Sequence, residues 1–223
     1  MSVSPETPVP IGAAGNEPAP MVYVVDDDDT VRDSVLNLLR AEGFEARGFA
    51  SGPDFVGEVR TEAPSCLVCD MHMPELDGLE VAAELARLGA DIPVIFMTGF
   101  GTIPMSVRAM KAGAVEFLTK PVAPDDLLQA VRDALAADAR RLEERRELAG
   151  LRRRHASLTP RERQTMQLVI GGLLNKQIAG ELGVSEIMAK THRRKVMEKM
   201  AARSLPDLVR QAERLQIVKT RSR

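Results

Sequence analysis

The sequence has no long apolar run, only two cysteines and almost no net charge, and each shortage excludes something. No apolar stretch approaches the roughly 20 residues that cross a bilayer as a helix, so a membrane partner is not expected. Residues Met1 to Pro20 lack both the basic start and the apolar core of a signal peptide. Five prolines among Gly and Ala (Pro5, Pro8, Pro10, Pro18 and Pro20) mark residues 1–20 as a disordered leader. Cys66 and Cys69 resemble a metal or redox pair, but residues three apart on a strand point to opposite faces. Two buried thiols in a reducing cytoplasm are the expectation.

The net charge of −2 hides a division. Residues 1–137 carry 9 Lys and Arg against 22 Asp and Glu, a balance of −13. Residues 138–223 carry 21 against 10, a balance of +11. Such asymmetry predicts an acidic domain joined to a basic one, and the basic half has the footprint of a nucleic-acid binder.

The acidic half alternates short apolar runs with helical periodicity. Strands are predicted at Met21 to Val25, Glu45 to Phe49, Cys66 to Asp70, Pro93 to Met97 and Ala114 to Leu118. Between and after them, helices are predicted through Val31 to Leu39, over Pro53 to Arg60, from Leu79 to Leu88, over Ile103 to Lys111, and from about Pro124. Five alternations argue an α/β doubly wound, five-stranded parallel sheet over residues 21–137. In such a sheet the carboxyl ends of the strands converge at one edge, where ligand chemistry sits. Those ends carry Asp26 and Asp27, Asp70, Thr98 and Lys120. Each alone has an ordinary use, such as a strand cap, a turn hydroxyl or a surface cation. Asp28 and Asp29 are read as capping the helix that follows them. Together, three carboxylates would repel unless cations intervene, and one Mg²⁺ with the Lys120 ammonium balances them. Hard oxygen ligands without a Cys or His side chain favour Mg²⁺ over Zn²⁺. A phosphoryl group reaching Asp70 would find a metal, an ammonium and a hydroxyl for its oxygens.

Asp26-Asp27, Asp70, Thr98 and Lys120-Pro121 resemble the site pattern of the response-regulator receiver domain, over about Val22 to Leu135. The resemblance implies that Asp70 is phosphorylated by the phosphohistidine of a sensor histidine kinase. It implies Mg²⁺ held by Asp27 and Asp70 directly, by Asp26 through water, and by the backbone carbonyl of His72. It further implies Thr98 as a switch meeting the phosphoryl group, Phe117 as the aromatic that follows inward, and a cis Lys120-Pro121 peptide.

In the basic half, charged residues run from Asp138 through Arg154. Leu128, Leu135, Leu142 and Ala149 fall seven apart, but charged Asp138 and Arg145 favour a solvated helical linker over 138–156 rather than a coiled coil. Thr159-Pro160-Arg161-Glu162 is a capping box, with Gly171-Gly172 ending the helix it starts. A short helix follows from Asn175, then a turn at Gly183-Val184, a Ser185 cap and a basic helix to about Met200. Ile187, Val196 and Met200 are read as its apolar face, and Lys190, His192, Arg193, Arg194, Lys195 and Lys199 as its cationic remainder. Two helices joined by a Gly-containing turn, the second strongly basic, make a small all-α helix-turn-helix domain over residues 157–223.

Leu158 to Glu162, Asn175 to Ala179 and Ser185…His192…Lys199 resemble the LuxR/FixJ-type DNA-binding domain. With the receiver, the whole chain resembles a response regulator of the NarL/FixJ class, FixJ/StyR branch. The resemblance implies that Lys190, Thr191 and Arg194 face base edges, that Lys176, His192 and Lys199 contact phosphates, and that the last helix forms the DNA-bound dimer contact. At Met188 and Ala189 the family more often carries Thr and Val. The implied activity is transcription regulation switched by phosphorylation, not metabolic catalysis. The implied partners are a sensor histidine kinase, promoter DNA, RNA polymerase and a second copy of the chain. Two rivals stand beside this reading. A Mg²⁺-dependent phosphatase using Asp70 as nucleophile would need a second acid where His72 stands. A constitutive DNA binder would use the receiver only for protein contacts.

Overall fold

The computed structural model describes residues 19–59, 62–99, 107–110 and 113–217. Residues 1–18 of the expected leader, and most of the helix expected over 103–111, lie outside these.

In the acidic half, β1 (Met21–Val25), β2 (Glu45–Phe49), β3 (Ser65–Asp70), β4 (Val94–Thr98) and β5 (Glu116–Thr119) form one parallel sheet in the order β2-β1-β3-β4-β5. Side-chain alternation along the strands splits the core into two layers. Val22, Val24, Cys66, Val68, Ile95 and Met97 face α1 (Asp29–Ala41) and the first turns of α5 (Pro124–Ala156). Tyr23, Val25, Leu67, Cys69 and Phe96 face α2 (Gly52–Glu58) and α3 (Gly78–Arg87), and helical residues 107–110, here α4, add Ala109. Cys66 and Cys69 therefore lie on opposite sides of the sheet, and burial pushes both thiols far above their ordinary range. They are inert packing residues.

The strand order reverses between β1 and β3, which makes their carboxyl ends the topological switch point. β3 is buried over its whole length, so its end is fixed from both faces.

The chain divides into two compact units, with the boundary inside α5 between Leu142 and Glu143. That differs from the expected linker start at Asp138. The Asp138 carboxylate is 6% exposed and accepts the Ser65 amide proton at 2.8 Å, so this charge belongs to the receiver sheet rather than to a solvated helix. It satisfies the first amide of β3.

The second unit packs α6 (Pro160–Ile170), α7 (Asn175–Leu182), α8 (Glu186–Lys199) and α9 (Leu205–Arg214) around Met166, Val169, Ile178, Ala189, Val196, Met200 and Leu208. Thr159 and Glu162 form the predicted capping box, with the Glu162 carboxylate 2.8 Å from the Thr159 amide. Gly183 turns the chain at φ +65°, a left-handed conformation open to glycine, and the Ser185 hydroxyl caps α8. Ile187 corrects the predicted apolar face. It is 81% exposed while Ala189, Val196 and Met200 are buried. Nine residues at about 100° each put Ile187 and Val196 on opposite sides of the helix.

Candidate functional site

The four consecutive aspartates that follow β1 divide their work by position. Asp26 is fully buried; its carboxylate accepts the Asp28 amide at 3.0 Å, and its carbonyl accepts the Arg32 guanidinium at 2.7 Å. Asp27 is exposed. Asp28 is the N-cap of α1, accepting the Thr30 and Val31 amides at 2.8 and 3.2 Å, and these bonds lower its pKa. Asp29 begins the helix and pairs with Arg32.

At the end of β3, Asp70 is 6% exposed. One of its oxygens lies 2.7 Å from the Lys120 ammonium, and the other accepts the His72 amide at 3.0 Å. The same ammonium lies 2.7 Å from Asp26. Burial pushes the Asp26 carboxyl above its ordinary range, against the pull of Lys120 and the Asp28 amide. Burial also works against the Lys120 charge, but the two carboxylates outweigh it and raise its pKa. Asp26 and Asp70 thus offset the cost of burying the Lys120 ammonium. Oxygens of Asp26, Asp27 and Asp70 lie within 4.8 Å of one another, the only such cluster among the described residues. An all-oxygen set of three carboxylates, two of them paired with one ammonium, fits a hard divalent cation, which would offset the excess negative charge.

Thr98, at the end of β4, is fully buried, with its hydroxyl 3.5 Å from His72 Nδ1. Phe117 pairs in register with Phe96 and is half-buried against the α2/α3 core layer. The Lys120–Pro121 peptide is cis. Asp26, Asp27, Asp70 and Lys120 therefore meet at one place, with His72 and Thr98 beside them. Phe117 lies on β5, two strands from β3 with β4 between them.

Gly78 is a site residue that composition did not single out. A Cβ there would lie 2.6 Å from the Asp70 carbonyl oxygen and 3.0 Å from the Phe96 ring. Because the obstruction is the backbone of Asp70 itself, Gly78→Ala is expected to destabilise the receiver by about 1–3 kcal/mol. Urea unfolding checks it, and an unchanged midpoint would refute the tight approach.

In the second unit, Lys176, Lys190 and Arg194 are exposed, and Thr191 and His192 are half-buried. The Thr191 hydroxyl donates to the Ile187 carbonyl at 2.9 Å. The guanidinium of Arg193 reaches Asn175 at 3.4 Å, tying α8 to α7. His192 Nδ1 is buried without a hydrogen-bond partner among the described residues. Lys199 departs from the implied phosphate contact. Its ammonium sits 2.6 Å from the Glu162 carboxylate and 3.3 Å from the Ser157 carbonyl. Glu162 is only 3% exposed and needs a counterion, and Lys199 supplies it. The capping box was legible as local sequence; this partner, 37 positions away, was not.

Lys199 and the Thr159 amide hold the Glu162 carboxyl down to about 2. Its value in the unfolded chain is near 4.3. A folded value below the unfolded one adds stability at neutral pH that is lost as the pH falls through the interval between them. The α6–α9 unit is therefore expected to lose melting temperature between about pH 4.5 and pH 2. Glu162→Gln should cost about 2 kcal/mol at pH 7 and flatten that decline, as thermal melts across the range would show.

Comparison with known proteins agrees with both halves. Residues 22–132 match the family described as response regulator receiver domain, and residues 156–212 match bacterial regulatory proteins of the luxR family. Nodulation protein W of Bradyrhizobium diazoefficiens is 48% identical over 197 residues, 88% of this chain and 87% of that protein. Transcriptional regulatory protein FixJ of Azorhizobium caulinodans is 42% identical over 193 residues, 86% and 90% of the two chains. The solved structure of the response regulator StyR superposes with a TM-score of 0.82 at 46% identity, covering 88% of this chain and 99% of that one. No helix among the described residues is long and apolar enough to cross a membrane. The chain belongs to the two-component response regulators of the NarL/FixJ class, with a receiver domain followed by a LuxR-type DNA-binding domain.

Proposed function

We propose that a sensor histidine kinase phosphorylates Asp70, and that the phosphorylated chain dimerises on promoter DNA to regulate transcription in the cytoplasm. The observation that carries this reading is the Lys120 ammonium, 2.7 Å from both Asp26 and Asp70 at the sheet's switch point. An Asp70 oxygen attacks the phosphorus of the kinase phosphohistidine; the new O–P bond forms as the N–P bond breaks, and the imidazole leaves with the electron pair. The His72 amide and Lys120 hold the Asp70 carboxylate in place for that attack. Lys120 then stabilises charge on the transferred oxygens. Asp26, Asp27, Asp70 and the backbone carbonyl of His72 would hold Mg²⁺, whose charge offsets the carboxylates and the phosphoryl oxygens.

After transfer, the Thr98 hydroxyl turns to a phosphoryl oxygen and Phe117 moves inward behind it, reshaping the face of α4, β5 and α5. Two chains pair on that face. Pairing gives two α8 helices that reach half-sites about one DNA turn apart, and RNA polymerase reads the result. Lys190, Thr191 and Arg194 meet base edges, while Lys176 and His192 meet phosphates. Lys199 serves the domain's own fold through Glu162. Moving the balance from 1:99 to 99:1 requires phosphorylation to favour the paired state by about 5.5 kcal/mol. Sedimentation at micromolar concentration tests the pairing. Acetyl phosphate with Mg²⁺ should convert monomer to dimer, and a phosphorylated chain that stays monomeric would contradict it.

A further inference from the structure

Ile187 is 81% exposed, more than any other large apolar side chain among the described residues. A single exposed isoleucine is ordinary on a protein surface. Its position is not. With 3.6 residues per turn, Ile187, Lys190, Thr191 and Arg194 fall at i, i+3, i+4 and i+7 and form one stripe along α8. The Thr191 hydroxyl bond to the Ile187 carbonyl lies along that stripe. Ala189 and Val196, both fully buried, occupy the opposite side. Ile187 therefore stands in the middle of the face that α8 presents outward, in its first turn, with exposed Lys190 and Arg194 following it.

Recognition helices place their N-terminal residues on base edges in the major groove. Lysine and arginine find guanine acceptors there, whereas an isoleucine can make no hydrogen bond. The only apolar group on those edges is the C5 methyl of thymine. We infer that Ile187 is a specificity-determining residue that packs on a thymine methyl, fixing a T at one position of each half-site. The inference rests on the DNA-binding reading above. It adds an apolar contact to a face otherwise read through charge. Met188, about 100° around the helix and 48% exposed, lies off the stripe and is not assigned this role.

The test uses the full chain treated with acetyl phosphate and Mg²⁺. Tight-binding duplexes are selected from a randomised pool, and the selected site is then remade with dU in place of each dT singly. The exchange removes one methyl and leaves every hydrogen bond intact. The native chain should lose about fourfold in affinity at one thymine per half-site, the worth of one buried methyl. Ile187→Ala and Ile187→Ser, at an exposed position that folding does not need, should bind dT and dU duplexes equally while keeping their salt dependence. Met188→Ala should retain the fourfold difference. The inference is overturned if the half-sites hold no thymine or no exchange affects the native chain. It is equally overturned if Ile187→Ala keeps the full loss, or if only Met188→Ala abolishes it. Failure to select any duplex would instead refute the DNA-binding reading, and this inference with it.

Discussion

Asp70→Asn is expected to take up no phosphate from acetyl phosphate under conditions that should label the native chain. The substitution keeps the size and one oxygen of the side chain but replaces a carboxylate nucleophile with an amide. Removing a nucleophile from an assembled site costs about 10³-fold or more in rate, because the remaining groups cannot act without it. The fold should survive, since Lys120 keeps Asp26 as a partner and the His72 amide still finds an oxygen. Asp26 and Asp27 are close enough to be the natural objection. Asp26 is fully buried and paired with Lys120, and Asp27 is exposed, with no ammonium paired to it among the described residues. Intact-mass spectrometry with and without Mg²⁺ decides the matter. Label persisting in Asp70→Asn at the native level would mean that the acceptor is another residue.

The second large effect lies on α8. Lys190→Ala with Arg194→Ala should weaken binding to a selected promoter duplex by about 10³-fold at physiological salt, since each base contact is worth about 1–3 kcal/mol. Both side chains are exposed, so melting temperature should hardly move. Arg194 lies 3.4 Å from the Glu198 carboxylate, but a pair this exposed is weak and yields its guanidinium readily. Lys176→Ala should behave differently, weakening all duplexes alike and lowering the salt slope by about one. If the double variant lost affinity equally for selected and random duplexes, Lys190 and Arg194 would be phosphate contacts rather than readers of sequence.

Much of this site was legible because strand ends are legible. A buried apolar run ending in Asp or Thr fixes where that residue lies once the alternation of strands and helices sets the sheet. What escaped the sequence was of another kind. The close approach of Gly78 to Asp70 depends on how α3 leaves its loop, and no periodicity carries that. Asp138 looks like a linker charge until the Ser65 amide is seen to need it. Lys199 looks like one more cation on a basic helix, and only packing of α6 against α8 shows its buried partner. Ile187 was misassigned for a simpler reason. Being apolar suggested burial, but its angle around the helix, set by counting from Val196, already pointed it outward.

The central claim is that the cluster at the end of β3 controls the basic helix of the other domain. Promoter affinity, measured by fluorescence anisotropy for the native chain and Asp70→Asn with and without acetyl phosphate and Mg²⁺, tests it most directly. The predicted result is a gain of tenfold or more for the native chain and none for Asp70→Asn, the gain vanishing when Mg²⁺ is chelated. Equal affinity in all four conditions would contradict the account and leave a DNA binder that ignores its receiver.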